Sequence, residues 1–289
     1  MSHGQWIFAD ASAAGTVRFA SAVPGSPGPG VACTMPSSEH STFTDALLAY
    51  EREAGIVLPG AECVLAVAGI AVGEAIPVMR SRWTISRSGL GAVLDRPATI
   101  VNDVAATAWS LLGGASVELL DGSIRPDFRR AGRWALVLLD EGVGTAALDI
   151  DAHGRATVID AEAGHTGFSP QGDDEIERLR QLRTQLAHVS WEAALTRGWP
   201  YRDERWAAMA GAFAGDVLLA TGAWSGVIVT GKSAADLRQP RHQAAFSARL
   251  LAKNCYHRQL GGAARCLLTA RDPLAGAHAL LATRHRGKV

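Results

Sequence analysis

Two short stretches of the sequence contain side chains suited to binding and deprotonating a hydroxyl group. Asn102 and Asp103 end an apolar run that reads PATIVND, and Glu162 and His165 lie three residues apart in DAEAGHTGFSP. A carboxylate such as Asp103 can accept a hydrogen bond from a hydroxyl and then remove its proton. Acidic acceptors and an imidazole suit a ligand with a ring of hydroxyl groups. The pattern therefore indicates a polyhydroxylated ligand, with Glu192 in HVSWEAAL as a further candidate.

The elements that must position these residues alternate between strands and helices. QWIFAD and ATIVND predict buried strands, and CVLAVAGIAV predicts a central one. TFTDALLAYEREAG has the apolar spacing of a helix that stops after Ala54, and Ser86 is a predicted cap of a helix in TISRSGLGAVLD. A second series, RWALVLLDEGVGTAALDID and RATVIDAEAGH, repeats the order strand, turn, strand. The repeated order predicts two related α/β halves with a cleft between them.

The composition restricts the class of protein. The chain has 289 residues, of which 48% are hydrophobic, and 28 basic side chains balance 28 acidic ones. A large core is therefore expected, whereas the charge gives no case for binding nucleic acid or an anionic membrane. The four cysteines lack Cys-x-x-Cys spacing, which favours reduced thiols in a cytoplasm. The N-terminus lacks a basic region followed by a long apolar segment, so we expect no secretion signal.

Four segments in order resemble the bacterial glucokinase family, within the actin, sugar kinase and Hsp70 group of folds. They are IVNDVAATAW, DAEAGHTGFSP, LAHVSWEAALTRG and SGVIVTGKSAADL. The resemblance implies two related RNase H-like domains of the actin and hexokinase type. It also implies a smaller domain of residues 1–108, joined by the C-terminal helix at about 274–289, and a larger one of 109–273.

The same resemblance implies a function and roles for residues. The expected reaction is ATP-dependent phosphorylation of glucose or a close hexose at the 6-hydroxyl, with Mg²⁺, in a cytoplasmic protein that forms a possible homodimer. Asp103 stands where the family has its catalytic base. Asn102, Glu162, His165 and Glu192 stand where the family has hexose contacts.

The nucleotide side departs from the family's glycine-rich pattern. The first hairpin reads DASAAGTVR, with an alanine pair in the turn, and the second reads DEGVGTA, with Val143 in place of a threonine. A later Gly-Gly pair becomes Gly231-Lys232. Substituting glycine makes φ > 0 costly, so these hairpins are expected to be degenerate. The residues implied to bind ATP are Asp10, Gly15, Thr16, Gly142, Gly144, Thr145 and Gly231.

Other interpretations of the same residues remain open at this point. Asp103 can instead cap the helix that follows it, Asp10 can simply terminate a strand, and Glu192 can lie on a solvated helix face. Arg80, where the family has an asparagine, suits a surface charge better than a contact with an anionic sugar. No protein-bound metal site is predicted, because no second His/Cys cluster completes the pair at Glu162.

Two alternative functions follow from the altered hairpins and from Arg80. The hairpins suggest a non-catalytic sugar-binding or regulatory protein descended from a kinase. Arg80 suggests a kinase for another sugar, such as an amino sugar.

Overall fold

The chain folds into two compact units. A computed structural model describes residues 4–121, 124–197, 199 and 201–286. Unit 1 comprises Met1–Gly114 and Asp272–Val289, and unit 2 comprises Ala115–Arg271. The division predicted from the sequence placed its boundaries after residues 108 and 273. The described helices include none with the length and apolarity needed to span a bilayer.

Unit 1 begins with a hairpin and continues as alternating strands and helices. Its elements are β1 (Trp6–Ala11), β2 (Thr16–Ala22), β3 (Cys33–Pro36), α1 (Phe43–Ala54), β4 (Glu62–Val67), β5 (Ala75–Pro77), β6 (Thr84–Ser86), α2 (Arg87–Leu94), β7 (Thr99–Asn102) and α3 (Asp103–Ser110).

Local sequence explains where the first helices begin and end. Thr42 and Asp45 form a reciprocal capping box at the start of α1, and Gly55 ends that helix at φ 62°. Ser86 accepts a hydrogen bond from the Gly89 N–H and so caps α2. Both the glycine stop after Ala54 and the Ser86 cap are confirmed.

The main sheet of unit 1 has the strand order β3-β2-β1-β4-β7. Strands β1, β4 and β7 are parallel, and β2 and β3 run antiparallel to their neighbours. The predicted central position of β4 is therefore confirmed. The small β5–β6 hairpin forms a separate sheet. The apolar residues of one sheet face pack with α1 and α2, around the buried side chains of Phe19, Phe43 and Leu65.

Unit 2 contains a second mixed sheet and most of the helices in the middle of the chain. Its elements are β8 (Val117–Leu119), β9 (Gly132–Leu139), β10 (Val143–Ile150), β11 (Ala156–Ala161), α4 (Asp173–Arg183), α5 (Trp191–Arg197), α6 (Glu204–Thr221), β12 (Gly226–Thr230), α7 (Pro240–Leu251), α8 (His257–Gly261) and β13 (Ala264–Leu268). The chain then returns to unit 1 as α9 (Pro273–Arg286).

The sheet of unit 2 has the order β11-β10-β9-β12-β13-β8. Strands β9, β12 and β13 are parallel, so their carboxyl ends lie at one edge of the sheet. The core of this unit is built around α6, whose Trp206 and Phe213 are almost fully buried. Each unit thus has its own sheet and core, and the strand–turn–strand order predicted from the sequence occurs in both.

Candidate active site

The carboxyl edge of the unit 1 sheet gathers several of the predicted residues. Ala11 of β1 pairs with Val67 of β4, and Val67 pairs with Asn102 of β7. Two strand spacings therefore separate the ends of β1 and β7, a distance of about 10 Å. Asp10 and Asp103 flank these ends, and both side chains are buried. Ligands of open α/β sheets bind at this kind of edge.

Asn102, and not Asp103, caps helix α3. The Asn102 Oδ1 atom accepts hydrogen bonds from the N–H groups of Val104, at 2.7 Å, and Ala105, at 3.2 Å. Its Nδ2 atom donates to the Gly69 carbonyl at 3.1 Å. The alternative in which Asp103 is the cap is therefore wrong, because Asp103 is the first residue inside the helix. One amide hydrogen of Asn102 remains for a ligand.

Asp103 lies in the first turn of α3, where the partial positive charge of the helix N-terminus favours a carboxylate. Its backbone carbonyl accepts a hydrogen bond from the Thr107 hydroxyl at 2.7 Å. The side chain is 7% exposed. Asp103 thus holds a carboxyl group at the sheet edge on a helix that buries all of its residues, a position suited to a general base.

Asp10 is held by a network of hydrogen bonds and an ion pair. Its Oδ1 atom accepts hydrogen bonds from the Ser12 N–H at 3.1 Å and the Ser12 hydroxyl at 2.6 Å. Its Oδ2 atom lies 3.5 Å from Nη1 of Arg18, and Nη2 of Arg18 lies 3.3 Å from Asp272. Asp272 precedes α9 and accepts from the Leu274 N–H. The carboxylate of Asp10 is therefore oriented as well as buried.

The turn of the first hairpin keeps the glycine that its backbone requires. Gly15 has φ +76°, with open space around the position of a Cβ atom. Among described non-glycine residues, positive φ occurs at Arg80, Asp95 and Asn254, so Ala13 and Ala14 keep ordinary conformations. The alanine pair therefore introduces no backbone strain of the kind expected from the sequence. Thr16 follows directly as the first residue of β2.

Arg80 lies in an exposed turn with φ +62°, a conformation that an asparagine adopts more easily. The neighbouring Met79 donates its N–H to the Ala68 carbonyl at 3.3 Å. Met79 also contacts Gly69, where an added Cβ would lie 2.9 Å from the Met79 Cγ. Arg80 therefore lies in the loop region beside Asn102, whose side-chain amide donates a hydrogen bond to the Gly69 carbonyl.

In unit 2, two of the predicted motifs are bonded to one another. The Phe168 N–H donates to the Val189 carbonyl at 2.9 Å, and the Trp191 N–H donates to the Thr166 carbonyl at 3.0 Å. These bonds join the loop DAEAGHTGFSP to the segment LAHVSWEAALTRG, whose last residue, Gly198, lies outside the described residues. The loop that carries Glu162 is thereby fixed against the start of α5.

Glu162 precedes a short 3-10 helix, Ala163–His165, and His165 is its last residue. The Glu162 Oε2 atom lies 3.8 Å from the His165 Nε2 atom, with side chains 39% and 56% exposed. The His165 carbonyl lies 3.0 Å from Nε2 of His188. The side chains of Glu162 and His165 are thus available to an incoming ligand. Among the residues that the structure describes, no group of three or more His, Cys, Asp or Glu could hold a metal ion.

Glu192 lies in the first turn of α5 and is bonded to the second glycine hairpin. Its Oε2 atom accepts a hydrogen bond from the Val143 N–H at 2.9 Å. The side chain is partly buried, so the alternative of a solvated helix face is wrong. At the carbonyl group of the same residue, a Cβ atom at Gly164 would lie 2.0 Å from the Val143 oxygen. Val143 is therefore bonded to one of the predicted sugar-binding motifs and packed against another.

The hairpin itself turns at Asp140–Gly142, between β9 and β10. The Asp140 N–H donates to the Gly142 carbonyl at 3.0 Å, and Gly144 pairs with Leu138 across the hairpin. The Thr145 hydroxyl is buried, donating to the Ala161 carbonyl at 2.6 Å and accepting from the Ala163 N–H at 3.3 Å. The side chain of Thr145 therefore braces the Glu162 loop, and its backbone pairs with Ala161 and Val137 on the two sides of β10.

Gly231 follows β12 at the carboxyl edge of the unit 2 sheet. It has φ +106°, and an added Cβ would lie 2.3 Å from the Leu139 carbonyl oxygen, so glycine is required. Two cavities adjoin here, of about 990 and about 380 Å³, and Asp140 and Lys232 line both. Thr230, whose buried hydroxyl has no hydrogen-bond partner among the described residues, lines the smaller one.

The sequence did not reveal several residues that shape the surroundings of Asp10, Glu192 and Gly231. Ser12 and Asp272 hold the Asp10 network, and the Val143 N–H is the partner of Glu192. From the sequence, Lys232 is recognised only as the residue that replaces the second glycine of the family's Gly-Gly pair. The signal for Ser12 was present, because a hydroxyl two residues after an aspartate commonly bonds to it. The sequence contains no local signal for the other two contacts.

The two sheet-containing units define a two-domain α/β fold. The family model named Glucokinase matches residues 13–198. The chain therefore belongs to the glucokinase family, as the resemblance implied.

One relative by sequence is the protein "Bifunctional protein glk" of Burkholderia lata. It is 26% identical over 287 residues, which cover 86% of this chain and 44% of the relative. The chain thus spans less than half the length of this relative.

Solved structures share the fold. A glucokinase from an Antarctic psychrotroph superposes with a TM-score of 0.77 at 22% identity and covers 96% of this chain and 98% of its own. A ROK family glucokinase from Streptomyces griseus, in complex with glucose and AMPPNP, has a TM-score of 0.59 at 17% identity, with coverage of 97% and 100%. The predicted actin-like fold of two sheet-containing domains is confirmed.

Proposed function

We propose that this protein transfers the γ-phosphoryl group of ATP to the 6-hydroxyl of glucose or a close hexose. The observation that carries the proposal is the position of Asp103 in a chain of the glucokinase family. Its carboxylate is buried at the first turn of α3, directly after a capping Asn102, at the carboxyl ends of the parallel strands of a mixed sheet. The same edge holds Asp10, the carboxylate assigned to the donor side.

On the acceptor side, Asp103 accepts the hydrogen bond of the 6-hydroxyl and removes its proton as the oxygen attacks phosphorus. General base catalysis of this kind contributes on the order of 10²–10⁴ in rate. Asn102 donates its remaining amide hydrogen to the sugar. Glu162, His165 and Glu192 bind the other ring hydroxyls. An analogue that lacks one of these hydroxyls leaves a polar group unpaired and is rejected.

On the donor side, the proposed contacts are Asp10, Gly15, Thr16, Gly142, Gly144, Thr145 and Gly231. Mg²⁺, which neutralises charge on the phosphates when bound, commonly takes one or two carboxylates and keeps several waters. A single buried and oriented carboxylate, Asp10, fits that requirement if the phosphates supply further oxygens. The hairpins depart from the family's glycine pattern, yet positive φ in the first falls on Gly15. We therefore propose that ATP still binds.

Replacement of Asp103 by asparagine tests the assignment. The amide keeps the size of the side chain but cannot accept a proton, so we expect kcat to fall by about 10³ or more while glucose affinity changes little. The measurement is glucose-dependent ADP release, with calorimetry for the sugar.

Asp95→Asn is the matched control. Asp95 is an exposed C-cap with φ 52°, where asparagine is also tolerated, so full activity is expected. Near-normal turnover in Asp103→Asn would remove Asp103 as the base. Hexose binding by the unmodified protein without ADP release would instead identify a non-catalytic sugar-binding protein.

A further inference from the structure

We infer that Glu192 positions the second glycine hairpin for the donor phosphates, in addition to the sugar contact proposed above. The inference rests on the proposed function, because it assigns one carboxylate to both substrates. One oxygen holds the hairpin through the Val143 N–H, and the other binds a hydroxyl of the sugar.

The bond between Glu192 and Val143 joins residues 49 positions apart. Val143 is the first residue of β10, directly after the turn, and is 3% exposed. A bond from a backbone N–H to a carboxylate is a charge-assisted hydrogen bond, which is shorter and stronger than a neutral one. The partly buried carboxylate therefore restrains the backbone at the point where the hairpin turns back into the sheet.

Packing restrains the same residue of the hairpin at its carbonyl group. Gly164 approaches the Val143 carbonyl so closely that any side chain would collide with it. Gly164 lies between Glu162 and His165, the other two sugar contacts assigned to unit 2. The hairpin is thus held at the Val143 N–H by Glu192 and at the Val143 carbonyl by the loop that carries the remaining sugar contacts.

The second carboxylate oxygen is available for a ligand. The Val143 bond uses Oε2, and Oε1 of Glu192 makes no hydrogen bond within the described part of the chain. A carboxylate offers about four lone-pair sites, so both contacts can be made at once. A sugar hydroxyl on Oε1 fixes the orientation of the carboxylate and therefore fixes the Val143 N–H.

Two consequences follow for the donor. The Val143 N–H is directed at Glu192, so it does not bind a phosphate, and the hairpin must use its other N–H groups. Any sugar that orders Glu192 orders the hairpin as well. Coupling between binding sites is reciprocal, so glucose should raise the affinity for Mg·ATP by the factor by which Mg·ATP raises the affinity for glucose.

Three variants separate a positioning role from a simple sugar contact. Glu192→Ala removes both contacts, and Glu192→Gln keeps an oxygen that can accept from Val143. Glu162→Ala removes a proposed sugar contact without touching the Val143 N–H. The readouts are hydrogen exchange at the Val143 amide, the dissociation constant of Mg·ATP without sugar, and the KM values for both substrates.

We expect the Val143 amide of Glu192→Ala to exchange at least tenfold faster and its sugar-free dissociation constant for Mg·ATP to rise by about tenfold, a loss of about 1.4 kcal/mol. Glu192→Gln should change both by less than about threefold, since a neutral acceptor remains. Glu162→Ala should weaken glucose binding and leave Mg·ATP binding without sugar within about twofold.

Unchanged Val143 exchange and unchanged Mg·ATP affinity in Glu192→Ala would overturn the inference and leave Glu192 as a sugar contact only. If Glu192→Ala does not fold, Glu192→Gln takes its place. Its Val143 amide should exchange faster than in the unmodified protein, by less than about threefold, and unchanged exchange would overturn the inference. Failure of the unmodified protein to bind glucose or Mg·ATP would refute the proposed function and the coupling together, whereas the exchange result alone would still report the restraint on the hairpin.

Discussion

Lys232 places a positive charge where the glucokinase pattern has a glycine. Its ammonium group has no hydrogen-bond or ion-pair partner among the described residues, and it lines both cavities beside Gly231. Arg238, another cation of the smaller cavity, is bonded to Glu118 at 2.9 Å. Under the proposed function, Lys232 is therefore the cation best placed to compensate a phosphate of ATP.

We predict that Lys232→Met raises the KM for ATP about tenfold, since hydrogen bonds to charged groups contribute about 1.5–3 kcal/mol. The KM for glucose should change less than about twofold, because this side chain is not among the sugar contacts. Steady-state kinetics with each substrate varied gives both values. The control is Arg258→Met, which removes one exposed charge from α8. Equal KM values for ATP in both variants would contradict a role for Lys232.

Close packing of two helices in unit 1 depends on a single glycine. Gly276 of α9 lies against α3, where an added Cβ would approach the Ala106 carbonyl oxygen to 1.6 Å. Because that oxygen belongs to the backbone, the helices must separate to admit a methyl group. Helix α3 begins with the Asn102 cap and Asp103, so its position bears directly on the proposed base.

We predict that Gly276→Ala lowers the free energy of unfolding by about 3 kcal/mol, as expected for overpacking. The matched variant is Gly91→Ala in α2, where the nearest atom to an added Cβ is 3.7 Å away. That substitution should be neutral or stabilise by up to about 1 kcal/mol through helix propensity. Urea unfolding of the unmodified protein and of both variants measures these changes in the free energy of unfolding. Equal stability would show that α9 can shift without cost.

Sequence patterns predicted the elements whose signals are local. The helix over Phe43–Ala54 has its apolar spacing, capping box and glycine stop within one segment. The cap of α3 was ambiguous because Asn102 and Asp103 are both favoured caps, and φ/ψ decides between them. The strands β5 and β6 are too short for a periodic signal. The bond from Val143 to Glu192 depends on how α5 packs near β10, which no local pattern encodes.

At the scale of the whole molecule, charge and burial decide how stability depends on pH. Basic and acidic side chains are equal in number, so no large net charge opposes folding near neutrality. His278 of α9 is 6% exposed. Its ring meets the rings of Trp6 and Phe8 edge-on, and its Nε2 atom lies 3.0 Å from the Ser26 carbonyl.

Burial lowers the pKa of His278, and its hydrogen bond to Ser26 opposes that effect only in part. The folded protein therefore binds this proton less readily than the unfolded chain, whose histidine pKa is about 6.5. Stability from the neutral ring is fully present above the unfolded pKa and is lost as pH falls from there through the lowered, folded pKa.

We predict that the unmodified protein loses stability between about pH 7.5 and about pH 5. His278→Gln, which cannot gain a proton, should lose less over the same interval. Urea unfolding followed by circular dichroism at both pH values measures the two differences, and comparing them cancels the other histidines. The ion pair of His285 with Glu62, at 2.8 Å on the same helix, is present in both proteins and cancels as well. An equal loss of stability in the two proteins would contradict the prediction. It would mean that water reaches the His278 ring, so that α9 does not pack tightly against β1.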